Sequence, residues 1–154
     1  MTHSAKVKTG RHTIGDGEPV YIIAEIGINH NGSLEQARKL IDGAIFAGAD
    51  AVKFQTFTAE RLVRRNAPKA EYQKQTTGTG ESQYEMLSRL ELPRAAHETL
   101  IERCSARGID FLSTPFDEES LDFLTGDLGL KTIKLGSGEV TNGPLLLRTA
   151  RKGV

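Results

Sequence analysis

The sequence predicts an α/β protein with a parallel sheet that is covered on both faces. Four short, nearly continuous apolar runs bounded by Gly, Pro or Asp are typical of buried parallel strands. They are Tyr21–Gly27, Ala51–Phe57, Ile109–Thr114 and Lys131–Leu135. Helical patterns lie between and after these runs, so strand and helix alternate along the chain.

The first predicted helix occupies residues 33–48, where apolar residues recur with a period of about 3.6. Ser33 and Gln36 form a capping-box pattern at its start, and Gly48 marks its end. Similar start and stop signals predict further helices. These are Pro93–Gly108, a helix capped by Asp117, and Leu145–Lys152 after Pro144.

Residues 58–91 are too long for an ordinary connection between a strand and a helix. We expect them to cross one end of the sheet, with a short helix at Glu81–Ser88. This excursion, with its polar stretch 72–83, is interpreted as a specificity or lid element.

Repeated strand–helix units form either an open doubly wound sheet or a (β/α)₈ barrel, and the pattern alone does not choose between them. A full barrel takes about 250 residues, whereas four units are predicted here. We divide the chain into a polar N-terminal arm, residues 1–20, and the four units, residues 21–154.

The composition favours a cytoplasmic protein that binds small molecules. Lys plus Arg and Asp plus Glu both number 20. The chain therefore lacks the excess of basic residues that binding to nucleic acid or to an anionic membrane would require. The N-terminal residues lack the apolar core of a signal peptide. Cys104, the single cysteine, is expected to pack in the core of a helix.

Polar residues with useful chemistry follow each predicted strand, at the end of the sheet where parallel α/β proteins bind ligands. They are Glu25, Asn29 and His30; Lys53 and Gln55; Ser113 and Thr114; and Lys134, Ser137 and Glu139. Strand alternation places Lys53 and Gln55 on the same face.

A lysine in a covered strand needs a compensating partner. Lys53 and Lys134 either pair with Glu25 or Glu139 as structural ion pairs, form a cationic cup for phosphate or carboxylate, or supply a Schiff-base amine. Glu25 lies in an apolar strand and is a candidate to pair with one of these lysines.

The remaining histidines do not indicate a metal site. His3 and His12 lie in the polar arm and His97 on a helix, with no H-x-x-H pattern or acidic cluster. His30, between Asn29 and Asn31, suits a turn-stabilising role as well as a catalytic one.

Five motifs in order carry a family resemblance from about Tyr21 to the last residue. They are IIAEIGINHNGS, GADAVKFQTF, EMLSRLEL, FLSTPFD and IKLGSGE. Together they resemble the N-terminal part of the sialic acid synthases, which include the N-acetylneuraminate, legionaminate and pseudaminate synthases. The resemblance implies a (β/α)₈ barrel, here its N-terminal half.

The resemblance also implies a reaction: condensation of phosphoenolpyruvate with an N-acylated hexosamine such as N-acetylmannosamine. A divalent metal, Mn²⁺ or Mg²⁺, activates the sugar aldehyde, which disfavours a lysine imine. By motif, Lys53, Thr114, Lys134 and Ser137 would bind phosphoenolpyruvate, and Gln55 and Glu139 would contact the sugar. Glu25 would lie at the reacting centre.

The family's metal-binding histidines and the C-terminal antifreeze-like domain of its homodimer have no counterpart in these 154 residues. We therefore expect this chain alone to lack synthase activity. Two alternatives remain open. One is a different phosphoenolpyruvate-dependent 3-deoxy-keto-acid synthase, which would need a site for a sugar phosphate; the other is a non-catalytic barrel fragment.

Overall fold

The computed structural model describes residues 6–67 and 81–154 and shows the predicted α/β organisation. Three strands, β3 (Ile23–Gly27), β4 (Ala51–Thr56) and β5 (Asp110–Pro115), form a parallel sheet in that spatial order. An antiparallel hairpin of β1 (Val7–Thr9) and β2 (His12–Ile14) precedes the sheet. The sequence interpretation missed this hairpin, because its short strands carry almost no apolar signal.

The helices follow the strands as the alternating pattern predicts. Helix α1 (Leu34–Phe46) follows β3, α2 (Ala59–Leu62) follows β4, and α3 (Gln83–Leu90) and α4 (Arg94–Arg107) lead into β5. After β5 come α5 (Glu118–Asp122), a π-helical turn (Phe123–Asp127), a 3₁₀ turn (Ser137–Thr141) and α6 (Gly143–Arg151). Most of the stretch interpreted as a lid, residues 72–80, lies outside the described residues.

The helix ends confirm the caps inferred from sequence. The Ser33 hydroxyl accepts a hydrogen bond from the Gln36 N–H at 3.2 Å, and Asp117 accepts one from the Ser120 N–H at 2.8 Å. Gly108 ends α4 with a φ of 75°, the left-handed conformation that glycine adopts without steric cost. Local residue chemistry therefore determines these boundaries.

The predicted fourth strand is wrong in its assignment, since Lys131–Leu135 contains no strand. Among the described residues, one backbone hydrogen bond ties this run to β5, from the Lys134 N–H to the Ser113 carbonyl oxygen at 3.4 Å. A strand requires a regular ladder of such bonds with its neighbour. One long bond aligns the run with β5 without forming the ladder.

The two faces of the sheet have different characters. One face packs against α1 and α4, where Phe54 stacks on Phe111 at 5.2 Å between ring centroids. Its neighbours in the core include Ile41, Leu100 and Cys104, and each fully buried large side chain contributes about 1.5–3 kcal/mol. The opposite face carries Lys53, Gln55 and Thr114. This separation leaves one face for stability and the other for chemistry.

The hairpin packs against the amino ends of the strands. The Tyr21 hydroxyl donates to Asp110 at 2.9 Å, and burial together with this bond raises the pKa of Tyr21 well above its usual range. The ring of His12 lies 3.8 Å from an Asp50 oxygen and 4.0 Å from an Asp110 oxygen. The hairpin thus covers the end of the sheet away from the candidate site.

Within the described residues, β3 is an edge strand that pairs only with β4. Ile23, its first residue, is 40% exposed, and the preceding Ile22 is 53% exposed. An apolar unpaired edge is the geometry of an incomplete barrel. No helix in the described part of the chain is both long and apolar enough to cross a membrane.

Candidate active site

The centre of the candidate site is an ion pair between neighbouring strands. Glu25 and Lys53 are paired in the parallel register, and their Oε2 and Nζ atoms lie 2.9 Å apart. The Lys53 side chain is 2% exposed, whereas that of Glu25 is 64% exposed. Of the alternatives that the sequence left open for Lys53, the pair with Glu25 is present in the structure. The exposed carboxylate leaves one side of the pair open to a ligand.

Gln55 and Thr114 extend this polar face toward the strand ends. They are register partners on β4 and β5, so they share the face that also carries Lys53. Thr114 is 1% exposed, and its hydroxyl has no hydrogen-bond partner among the described residues. An unsatisfied buried hydroxyl is costly, so a ligand atom that bonds to it would recover that cost.

The last three predicted site residues follow β5 in the chain. Lys134 is exposed and is held by its backbone bond to Ser113. Ser137 begins the 3₁₀ turn, while Glu139 accepts a hydrogen bond from the Asn142 amide at 2.6 Å. No ion pair joins Glu139 to Lys134 among the described residues, so the structural ion-pair hypothesis for Lys134 is not supported. The lysine ammonium remains accessible to an anion.

His30 has a structural place in the loop after β3. It is fully buried and stacks on Phe54 at 6.0 Å between centroids, and its Nδ1 accepts the Gly32 N–H at 3.0 Å. Its Nε2 has no hydrogen-bond partner among the described side chains. Burial lowers the pKa of His30, so the neutral ring is favoured. This geometry matches the turn-stabilising alternative.

The structure joins Ser113, a residue that the sequence analysis named for the strand ends, to two buried residues that it did not assign to the site. Thr56, Ser113 and His97 form connected hydrogen bonds on the helix-covered side of the strand ends. The signal for His97 was its spacing: it lies three residues before Leu100 and seven before Cys104, on the buried side of α4. The sequence analysis placed His97 on a helix but did not ask whether it lies on the buried face of that helix.

A divalent metal fits poorly in this part of the chain. The described residues contain no group of three or more His, Cys, Asp or Glu side chains arranged to hold an ion. The Glu25 carboxylate is engaged with Lys53, and His30 and His97 are buried in the helix layer. No step of the chemistry below is therefore derived through a metal.

Sequence comparison connects this geometry to characterised proteins. The chain is 50% identical over 138 residues to an N,N'-diacetyllegionaminic acid synthase of Legionella pneumophila, covering 90% of this chain and 38% of that protein. It is 52% identical over 130 residues to the synthase of the same name from Campylobacter jejuni, covering 84% and 39%. The chain thus spans about two-fifths of the length of these relatives.

Comparison with solved structures points to the same group of proteins as the sequence comparison. The N-acetylneuraminic acid (sialic acid) synthetase of Leptospira borgpetersenii, solved in complex with citrate, matches with a TM-score of 0.80 and 30% identity. The match covers 98% of this chain and 48% of that one. Such partial coverage identifies the fold as part of a (β/α) barrel, which resolves the choice of architecture that the sequence pattern left open.

A family model described as the NeuB family matches residues 40–154. That segment contains β4, β5, and seven of the polar residues that the sequence analysis placed after the strands, from Lys53 to Glu139. With the parallel strands, the paired Glu25 and Lys53, and the relatives' names all in agreement, we conclude that this chain belongs to the NeuB family.

Proposed function

We propose that this chain forms the phosphoenolpyruvate-binding part of a nonulosonic acid synthase. The reaction joins phosphoenolpyruvate to an N-acylated hexosamine and releases inorganic phosphate. The observation that carries the proposal is the buried Lys53 ammonium paired with an exposed Glu25. On the same sheet face lies the Thr114 hydroxyl, which has no hydrogen-bond partner in residues 6–67 and 81–154. A buried cation beside an unsatisfied donor suits a small, multiply charged anion.

The chain's residues have distinct parts in this proposal. Lys53, Thr114, Lys134 and Ser137 bind the phosphate and carboxylate, because ammonium and hydroxyl groups donate to anionic oxygens. Gln55 and Glu139 contact the sugar. Their amide and carboxylate groups match its hydroxyl and N-acyl groups.

The bond changes follow from the substrates. Carbon 3 of phosphoenolpyruvate attacks the sugar aldehyde carbon, and the aldehyde oxygen takes a proton as the new carbon–carbon bond forms. Positive charge develops at carbon 2, where a water molecule adds and gives up a proton before phosphate leaves. Glu25 stabilises that charge through its carboxylate, an electrostatic role that needs no covalent step.

The divalent metal implied by the family resemblance belongs to the same proposal. When bound, it would polarise the sugar aldehyde. Since the described residues do not fit it, we assign its ligands to other parts of a complete synthase. For the same reason, and because the sheet has an open edge, we expect the 154-residue chain to bind phosphoenolpyruvate without turnover.

Isothermal titration calorimetry of the chain with phosphoenolpyruvate tests the binding site. Lys53→Met keeps the length of the side chain and removes its charge. We expect it to weaken binding about 10- to 100-fold, the loss that corresponds to one charge-assisted contact. Lys39→Met is the matched control, because Lys39 is 67% exposed and pairs with Glu35 on the outer surface of α1. Equal affinity of wild type and Lys53→Met would contradict the assignment.

A chimera tests the reaction. In it, this chain replaces the matching segment of the Legionella pneumophila synthase, and mass spectrometry follows the products from neutral N-acyl hexosamines and from sugar phosphates. We expect a nonulosonic acid from a neutral sugar, lost in the Glu25→Gln chimera. A product from sugar phosphates alone would favour the other class of 3-deoxy-keto-acid synthases, and an inactive chimera with intact phosphoenolpyruvate binding would favour a binding module.

A further inference from the structure

A directed chain of hydrogen bonds lies behind the strand ends that carry the candidate site. His97 Nδ1 lies 3.2 Å from the Pro93 carbonyl oxygen, which can only accept, so Nδ1 carries the proton. In the neutral ring, Nε2 must then accept, and it receives the Thr56 hydroxyl at 3.1 Å. The Ser113 hydroxyl in turn donates to the Thr56 oxygen at 2.7 Å. Every donor and acceptor direction is therefore determined.

These three side chains are shielded from water. His97 is 2% exposed, Thr56 is 6% exposed and Ser113 is fully buried. The Phe123 ring meets the His97 ring edge-on at 5.3 Å, and burial lowers the pKa of His97. In such surroundings a satisfied network holds its members in one arrangement, since each alternative leaves a buried polar atom unpaired.

The network is attached to three segments of the candidate site. Thr56 directly follows Gln55, and Ser113 directly precedes Thr114, so alternation points the site residues to the opposite face. The Ser113 carbonyl oxygen accepts the one described backbone bond between Lys134 and β5. A shift of Ser113 would therefore move both Thr114 and the Lys134 segment.

We propose that His97 is a positioning residue of the active site, acting through Thr56 and Ser113. It holds the carboxyl ends of β4 and β5, and the Lys134 segment bonded to them, in the arrangement that anion binding requires. The inference rests on the proposed function, because phosphoenolpyruvate is the ligand whose binding is positioned. Displacements of about 1 Å at such sites cost up to about 100-fold in rate, so modest movement is sufficient.

Two substitutions separate this role from simple anchoring of α4. The amide oxygen of Gln reaches the position of Nε2, so His97→Gln retains an acceptor for Thr56. The amide of Asn matches Nδ1, so His97→Asn retains the bond to Pro93 and loses the one to Thr56. If His97 only anchors the helix, His97→Asn should retain phosphoenolpyruvate affinity better than His97→Gln. If His97 positions the site through Thr56, His97→Gln should retain that affinity better.

The experiment measures phosphoenolpyruvate affinity by calorimetry and melting temperature by circular dichroism, on the 154-residue chain. We expect His97→Asn and Thr56→Val to weaken binding about tenfold, with His97→Gln and Thr56→Ser close to wild type. Thr149→Val is the matched control: Thr149 is 8% exposed, and its hydroxyl donates to Leu145 within α6. This control is expected to lower the melting temperature without changing affinity.

The outcomes are distinct. If wild type binds, Lys53→Met does not, and His97→Asn and Thr56→Val bind as wild type, the positioning role is overturned while the proposed function stands. If wild type and Lys53→Met show the same absence of binding, the proposed function fails and the positioning role fails with it. Should His97→Asn not fold, the Thr56→Val and Thr56→Ser pair decides by the same comparison.

Discussion

The ion pair at the centre of the site is strongly asymmetric, and its two partners should respond in opposite ways to substitution. Lys53 is 2% exposed and Glu25 is 64% exposed. Glu25→Gln leaves a buried ammonium without its neutralising charge. Lys53→Met instead removes the buried charge and leaves a carboxylate that water can hydrate. We therefore expect the glutamate substitution to destabilise the fold and the lysine substitution to be tolerated.

The magnitudes follow from the geometry. Removing one partner of a fully buried pair costs about 3–5 kcal/mol. Here the cost is reduced, because the pair opens to solvent at Glu25 and the Gln oxygen can still accept from Nζ. About 1–2 kcal/mol remains for Glu25→Gln. Lys53→Met removes a desolvation penalty and buries a thioether, so its stability should equal wild type or exceed it by about 1 kcal/mol.

Urea unfolding followed by circular dichroism measures both changes. With a typical slope of about 1.5 kcal/mol per molar urea, Glu25→Gln should lower the midpoint by about 1 M. Lys53→Met should leave the midpoint unchanged or raise it slightly. Lys39→Met is the control for an exposed pair and should shift stability by less than about 1 kcal/mol. Equal destabilisation by both site substitutions would refute the reasoning. It would mean that the Lys53 ammonium is not a buried charge that depends on Glu25 for compensation.

Three further predictions concern the surroundings of the site. Gly32 and Gly48 both have a positive φ, 74° and 78°. In Gly32→Ala the new Cβ would collide with the backbone carbonyl oxygen of Arg89, whereas in Gly48→Ala it would meet open space. Thermal melts should show Gly32→Ala as less stable than Gly48→Ala by about 2 kcal/mol or more. Burial raises the pKa of the Cys104 thiol to about 12, so 5,5'-dithiobis(2-nitrobenzoate) should label it only in urea, and rapid labelling of the native chain would contradict its burial. Burial lowers the pKa of His30 and His97 below 6.5. Because the unfolded chain then binds more protons than the folded one, the free energy of unfolding should fall as the pH decreases through 6.5. Urea titrations at pH 7 and pH 5 should show a smaller fall for His97→Gln than for wild type.

The site residues show how far the sequence could lead. Lys53 and Gln55 were predicted to share a face because strand alternation has a period of two, and the register on β3 and β5 agrees. For Lys53 the sequence left open a glutamate partner, an anionic ligand and a Schiff base, and the structure shows the ammonium paired with Glu25. The buried role of His97 was missed because its hydrogen-bond partners lie 41 residues away in the chain, on β4, and in the first turn of its own helix.

Local chemistry by itself determined the α/β class, the helix caps at Ser33 and Asp117, and the face on which Lys53 lies, since each depends on residues only a few positions apart. The tertiary structure decided three other features. Within the described part of the chain, it left the Thr114 hydroxyl without a partner, joined Thr56 to Ser113, and reduced the predicted fourth strand to one backbone bond. The reason is physical: a hydrogen-bond partner, a strand ladder and a buried charge are all defined by neighbours distant in sequence, and only the packed fold supplies them.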